Sequence, residues 1–92
     1  MPYITKKQRE ELDPLINALS KMLLDHDTSP AVKGEYNYAI TKLIHGYINS
    51  NGLRYHHLND MIGVLECVKQ ELYRKKVAPY EETKILENGD VL

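Results

Sequence analysis

The residues best equipped for chemistry lie near the C-terminal end, in KQELYRKKVAPYEETK over 69–84. Lys69, Arg74, Lys75, Lys76 and Lys84 supply positive charge, and Tyr73 and Tyr80 stand among them. Arginine offers a planar fork that matches phosphate or carboxylate. Tyrosine offers a stacking face and a hydroxyl. A ring that stacks a base, beside a cation that holds a phosphate, is the chemistry of nucleotide binding. The plainer account is that basic residues in the last turns of a helix suit its dipole and that Tyr73 packs inward. A second group is Glu35-Tyr36-Asn37-Tyr38. Tyr36 falls on an apolar stripe, whereas Asn37 and Tyr38 do not and can face something polar. A helix N-terminus there presents free amides to an anion. Asn37 and Asn59 can read polar edges of a ligand.

Other constellations are weaker. His26 lies between Asp25 and Asp27, and His56 and His57 are adjacent, which on a helix points them about 100° apart. No His stands four residues from another with a Glu between, and Cys67 has no partner at zinc-finger spacing, so no metal is expected. Cys67, between Glu66 and Val68, reads as a small buried thiol. Glu10-Glu11 and Glu81-Glu82 read as solvated faces. There is no glycine-rich phosphate loop. The expectation is a protein that is not an enzyme and needs no cofactor. Catalysis would require Glu66, Asp60 or a histidine to converge in a cleft.

Length and composition set the bounds. Ninety-two residues suit a single domain over 1–92, with 1–5 as an arm and 88–92 as a tail. Lys and Arg total 12 against 13 for Asp and Glu, a net charge of −1, which argues against a nucleic-acid partner. The basic stretch is also countered by Glu81, Glu82, Glu87 and Asp90 nearby. Apolar residues at 42% exclude wholesale disorder, and one cysteine cannot make an internal disulfide. No apolar run is long enough for a membrane span, and the opening residues lack a basic-then-apolar signal. A cytoplasmic location is the expectation. The aromatic composition is unusual: seven Tyr, no Phe and no Trp.

These residues must be positioned by helices, because the apolar period is three to four residues with no sustained alternation. Thr5 and Gln8 have capping-box spacing, so a short helical turn is predicted to Leu12. Asp13-Pro14 then looks like a fresh start, with Leu15, Ile16, Leu19, Met22 and Leu23 on one face to about Asp25. Residues 26–33 form a loop. Tyr36, Ile40, Leu43, Ile44, Tyr47 and Ile48 mark a second helix over 35–49, stopped by Asn51 or Gly52. A third helix starts between His56 and Asp60, with Asn59 a candidate cap. It carries Leu58, Met61, Ile62, Leu65, Val68 and Leu72 to about Lys76. Pro79 disfavours helix at Ala78 and predicts a break or kink there, followed by a short helix over 80–87 that Asn88-Gly89 ends. The fold class expected is all-α, a small bundle of three main helices with short flanking helices. Gly46 and Gly63 are equidistant from the second connection, so a close helix crossing there is predicted. Leu23-Leu24, Val77 and Val91-Leu92 fall outside a single core, which points to a homo-oligomer, most simply a two-fold dimer.

The opening MPYITKKQREELDPLI, the central GEYNYAITKLI, the block NDMIGVLECVKQELYRKKVAPYE and the closing ENGDV resemble a family of small uncharacterised proteins from phages and bacterial genomes. That resemblance covers nearly the whole chain except residues 26–31. It implies no activity. The phage setting suggests, by analogy of setting and size and not by homology, a sponge that sequesters a nucleotide-derived immune signal without cleaving it and so counters host defence. Such a signal would be a cyclic nucleotide or an ADP-ribose derivative, held in a pocket formed by the oligomer in the host cytoplasm. In that reading Tyr38 with Tyr73 or Tyr80 stacks the base. Arg74 with Lys69 or Lys84 holds phosphate. The alternative is a protein–protein module, a phage inhibitor or assembly factor binding a host protein through Tyr and Arg hot spots.

Overall fold

The computed structural model describes residues 4–26, 28 and 30–92. The expectations for residues 1–3 of the arm, Tyr3 included, and for Asp27 and Ser29 of the first loop lie outside the described residues. Those described form four α-helices and one π-helical turn, with no strand among them, so the chain is all-α with three main helices.

Helix α1 runs Lys6–Asp25. The capping box forms as its spacing predicts. Gln8 N–H donates to Thr5 Oγ1 at 3.2 Å, and Thr5 N–H donates to Gln8 Oε1 at 2.8 Å. The fresh start predicted at Asp13-Pro14 does not occur, because Pro14 sits inside a continuous helix. The box has already nucleated the helix, and propagation past one missing bond costs less than nucleating a second helix beyond it.

Helix α2 runs Val32–Asn51, longer at both ends than predicted, so Gly34 lies within it. Its stop is the expected one. Gly52 takes φ +103°, a conformation that favours glycine, and its N–H donates to the Ile48 carbonyl at 2.8 Å. The Asn51 side-chain amide donates to the Tyr47 carbonyl at 2.9 Å.

Helix α3 runs Tyr55–Leu72 and begins ahead of the predicted window. Arg54 is its extended N-cap, so Asn59 is an interior residue and not the cap, and Tyr55 is helical and not part of a connection. His57 closes the α2–α3 corner. Its Nδ1–H donates to the Gly52 carbonyl at 2.9 Å, and its ring meets Tyr47 edge-on at 5.9 Å. A carbonyl only accepts, so Nδ1 carries the proton.

Of the break or kink predicted at Pro79, the break does not occur: a π-helical turn over Tyr73–Val77 leads straight into α4, Ala78–Asn88. The Ala78 N–H donates to the Tyr73 carbonyl five residues back. In an α-helix the Pro79 ring would collide with the carbonyl four residues earlier. One wide turn shifts the bonding register and places Pro79 among the first residues of α4, where a missing donor costs nothing. Gly89, at φ +84°, ends α4 as expected.

The chain divides into two units, Met1–Leu43 and Ile44–Leu92. Among the described residues only Leu23 is buried, at 7% exposure. Leu23 was predicted to lie outside the core, and Tyr36 on the core stripe; Tyr36 is instead exposed. Leu24, Val91 and Leu92 are exposed, as predicted, while Val77 is half-buried. Cys67, expected in the core, is exposed. The Gly46–Gly63 crossing is not present in the second unit: a Cβ added at either glycine meets nothing within 4 Å. The apolar stripes follow helical period as predicted, but the faces they mark stay open.

The continuity of α1 carries a measurable cost. Pro14→Ala restores a donor in an exposed helix interior and raises stability by up to about 3 kcal/mol. The expected readout is a higher urea midpoint with unchanged helical circular dichroism. A lower midpoint would mean that Pro14 sets the path of α1.

Candidate functional site

In the first unit, α1 and the first part of α2 form the two walls of an open, largely apolar groove of about 600 Å³. Leu19, Met22 and Leu23 come from α1, and Tyr38, Ala39 and Leu43 from α2. Within this unit no Cα of α1 lies within 8 Å of a Cα of α2, so the walls do not pack on each other. Packed helices have axes 8–10 Å apart, close enough for much nearer Cα approaches. The gap is therefore a real opening.

One polar clasp joins the two helices. His26, the C-cap of α1, donates from Nδ1 to Glu35 Oε2 at 2.7 Å. Glu35 lies in the first turn of α2. A protonated His at a helix C-terminus and a carboxylate at an N-terminus each sit at the favourable end of a dipole. The Glu35 hydrogen bond, and then its charge, hold the His26 pKa above its ordinary value; desolvation opposes this and Asp25 adds a smaller push upward.

Asn37 and Tyr38 lie on α2 as the sequence suggested. With Lys33 and Thr41 they line a shallow hollow of about 500 Å³ beside the groove. The Thr41 hydroxyl donates to Asn37 Oδ1 at 3.2 Å, which leaves the Asn37 amine to face outward partners. Tyr38 belongs to both surfaces and is 67% exposed.

The other six nominated residues belong to the second unit. There the cations already have carboxylates one turn away. Lys69 pairs with Glu66 at 3.6 Å, and Lys84 with Glu87 at 3.2 Å. Arg74 and Lys75 share Glu71, the lysine at 3.0 Å. Exposed pairs of this kind contribute roughly 0–1 kcal/mol, so they hold the side chains loosely. Among the described residues Lys76 has no ion pair. Tyr73 and Tyr80 are exposed, and the Lys84 ammonium lies 5.5 Å from the Tyr80 ring centre. Lys84 also lines a hollow of about 300 Å³ with Glu81 and Asp90, whose acids disfavour phosphate. Asn59 precedes Lys69 by about 15 Å along α3, at 1.5 Å per residue. Asn59, Lys69, Tyr73 and Arg74 precede or open the π-helical turn, and Tyr80 and Lys84 follow it on α4.

The groove is not among the surfaces that the sequence singles out. Leu19, Met22 and Leu43 carry a clear signal, the helical period, which reads as a core-facing stripe, while Leu23 reads as lying outside the core. Lys33 and Lys42, the cations on the α2 side, gave no signal of their own. The His26–Glu35 clasp was foreshadowed only by a histidine after one helix and an acid opening the next. Among the described residues no three His, Cys, Asp or Glu side chains gather as a metal-holding group. None of the helices described is long and apolar enough to cross a membrane.

Fold and surfaces together define a small all-helical protein built of amphipathic helices with open apolar faces. The chain belongs to a family described as a domain of unknown function, DUF6899, which it matches over residues 1–91. No curated protein and no solved structure matches it.

The clasp makes the first unit pH-dependent. A histidine whose pKa is raised on folding contributes stability in full below its unfolded value of about 6.5. That contribution disappears as pH rises through the higher folded value. Glu35→Gln is therefore expected to lower the thermal midpoint at pH 5.5 and to leave it nearly unchanged at pH 8.5. Equal losses at both pH values would show that Glu35 acts by something other than its charge on His26.

Proposed function

We propose that this chain is a non-catalytic protein-binding module that grips an amphipathic helix of its partner between α1 and the first part of α2. The observation that carries the reading is the unpacked groove, whose facing walls are Leu19, Met22 and Leu23 on one side and Tyr38, Ala39 and Leu43 on the other. A helix laid into an apolar groove is anchored by side chains three and four residues apart. Lys42 lines the groove, Lys33 lines the adjoining hollow, and neither is ion-paired among the described residues. They favour a partner helix with acidic residues beside its apolar stripe. In the phage and bacterial setting that the resemblance suggests, the partner is a host protein in the cytoplasm and the module an inhibitor or assembly factor.

The direct test uses synthetic amphipathic helical peptides with an identical Leu stripe and either Glu or Lys flanks, followed by fluorescence anisotropy. The acidic-flanked peptide is expected to bind at least tenfold more tightly. Leu19→Asp should abolish binding, and Lys33→Glu with Lys42→Glu should reverse the preference. Equal binding of both peptides, untouched by these changes, would refute the groove as the site.

A second reading is favoured by one observation. Lys33, Asn37, Tyr38 and Thr41 put a cation, an amide, a ring and a hydroxyl on one hollow. That set suits a nucleotide-derived signal, the ring stacking a base and the lysine meeting a phosphate. Isothermal titration with cyclic nucleotides and ADP-ribose derivatives tests it: heat that vanishes in Tyr38→Ala supports sequestration, and no heat with any of them removes it.

A further inference from the structure

The strongest unexplained feature in the second unit is the seam along α3. Leu58, Met61, Leu65, Val68 and Leu72 alternate at spacings of three and four, a heptad pattern with each residue at a core position. None of the five is fully buried: Val68 and Leu72 are each 59% exposed and Leu65 is 36% exposed. A heptad seam, here two heptads long, is the geometry that packs a second helix nearly along the first.

We infer that α3 pairs antiparallel with α3 of a second copy of this chain, with Gly63 at the midpoint. The choice of partner and direction follows from what flanks the seam. In an antiparallel pair centred on Gly63, Met61 meets Leu65 of the second copy and Leu58 meets its Val68. The flanking positions then pair like with like. Ile62, 65% exposed in a single chain, lies across from its own counterpart, and so does Val64. Farther out, Lys69 lies across from Tyr55, a cation beside a ring, and Glu71 across from His57. Apolar residues meet at the centre, polar ones meet at the ends, and no two like charges face each other. Asp60 and Glu66 fall on the outer face. Gly63 also falls there, and nothing lies within 4 Å of it.

The parallel arrangement is poorer on the same residues. It sets Ile62 against His57 and Lys69 against Val64, apolar against polar at both places. Its one attractive pair, Glu71 with Lys76, is spoiled because Lys76 lies in the π-helical turn, outside the register of α3. Self-complementary flanks of this kind specify a two-fold contact in which one patch serves both subunits. This inference goes beyond groove binding and stands without it, since the groove belongs to the first unit.

The test is sedimentation velocity of the full chain over a concentration series. A monomer–dimer equilibrium is expected. Ile62→Glu sets two carboxylates face to face at the centre of the pair and should weaken dimerisation more than tenfold. Because Ile62 is exposed in the single chain, the helical circular dichroism should not change. Direction is read by disulfide trapping in a Cys67→Ser background. Ile62→Cys should give a covalent dimer readily and Leu65→Cys poorly. A monomer at every concentration overturns the proposal, and so does a dimer indifferent to Ile62→Glu. Efficient trapping by Leu65→Cys and not by Ile62→Cys overturns the antiparallel arrangement.

Discussion

The fold rests on one division of labour: backbone bonding in this chain is local, whereas burial is not. The helices satisfy their amides and carbonyls within themselves, helped by Thr5 and Gln8 at one end and by Gly52 and Gly89 at others. That local bonding accounts for the helices. It does not account for the side chains, because an amphipathic helix is stabilised mostly by burying its stripe. In the described residues Leu23 alone is buried, while Leu15, Leu43, Ile62 and Val68 stand at half exposure or more. Each large aliphatic side chain gains roughly 1.5–3 kcal/mol when fully buried. The open groove in the first unit and the heptad seam in the second are two forms of the same unmet demand.

Prolines could have broken this scheme and do not. Pro14 is carried inside α1, which gives up one internal bond. Pro79 is carried by widening the turn before it, and the Ala78 amide reaches back to Tyr73. The second solution has a positional consequence. An added residue in a turn rotates everything after it, so Tyr80 and Lys84 do not continue the faces of Lys69 and Tyr73. They meet each other instead, ammonium to ring at 5.5 Å. The basic-aromatic segment that looks like one surface in the sequence is thereby divided into a part before the turn and a part after it.

What was legible in the sequence follows the same division. Caps and stops were readable because they depend on a few neighbouring residues: the Thr5–Gln8 box, the Gly52 stop and the end at Gly89 all stand where spacing put them. The helical faces were readable as periods. What covers them was not, because Tyr36 on a stripe looks the same whether or not another helix lies opposite. Pro14 departs from its reading for a different reason. A rule that proline ends helices weighs the lost bond but not the cost of starting again beyond it. Among the candidate site residues, Asn37 and Tyr38 were placed off the stripe and do face a hollow. The cations carry neighbours that a reading for phosphate alone leaves out. Glu66, Glu71 and Glu87 stood three or four residues from Lys69, Arg74, Lys75 and Lys84 all along, which is the spacing of helical ion pairs.

That pairing bears on the kind of partner the chain suits. An anion arriving at Arg74 meets the Glu71 carboxylate, and one arriving at Lys84 meets that of Glu87. An apolar side chain arriving at Leu19 or Leu43 displaces only water, which is the favourable direction. The aromatic composition points the same way. Tyr36, Tyr38, Tyr55, Tyr73 and Tyr80 are all exposed. A ring with a hydroxyl keeps one wet end while it waits and offers a large contact face when covered. Phe in those positions would leave rings with nothing to hydrate them and invite indiscriminate association. Seven tyrosines without a single Phe or Trp suit helices whose apolar faces stand open to water.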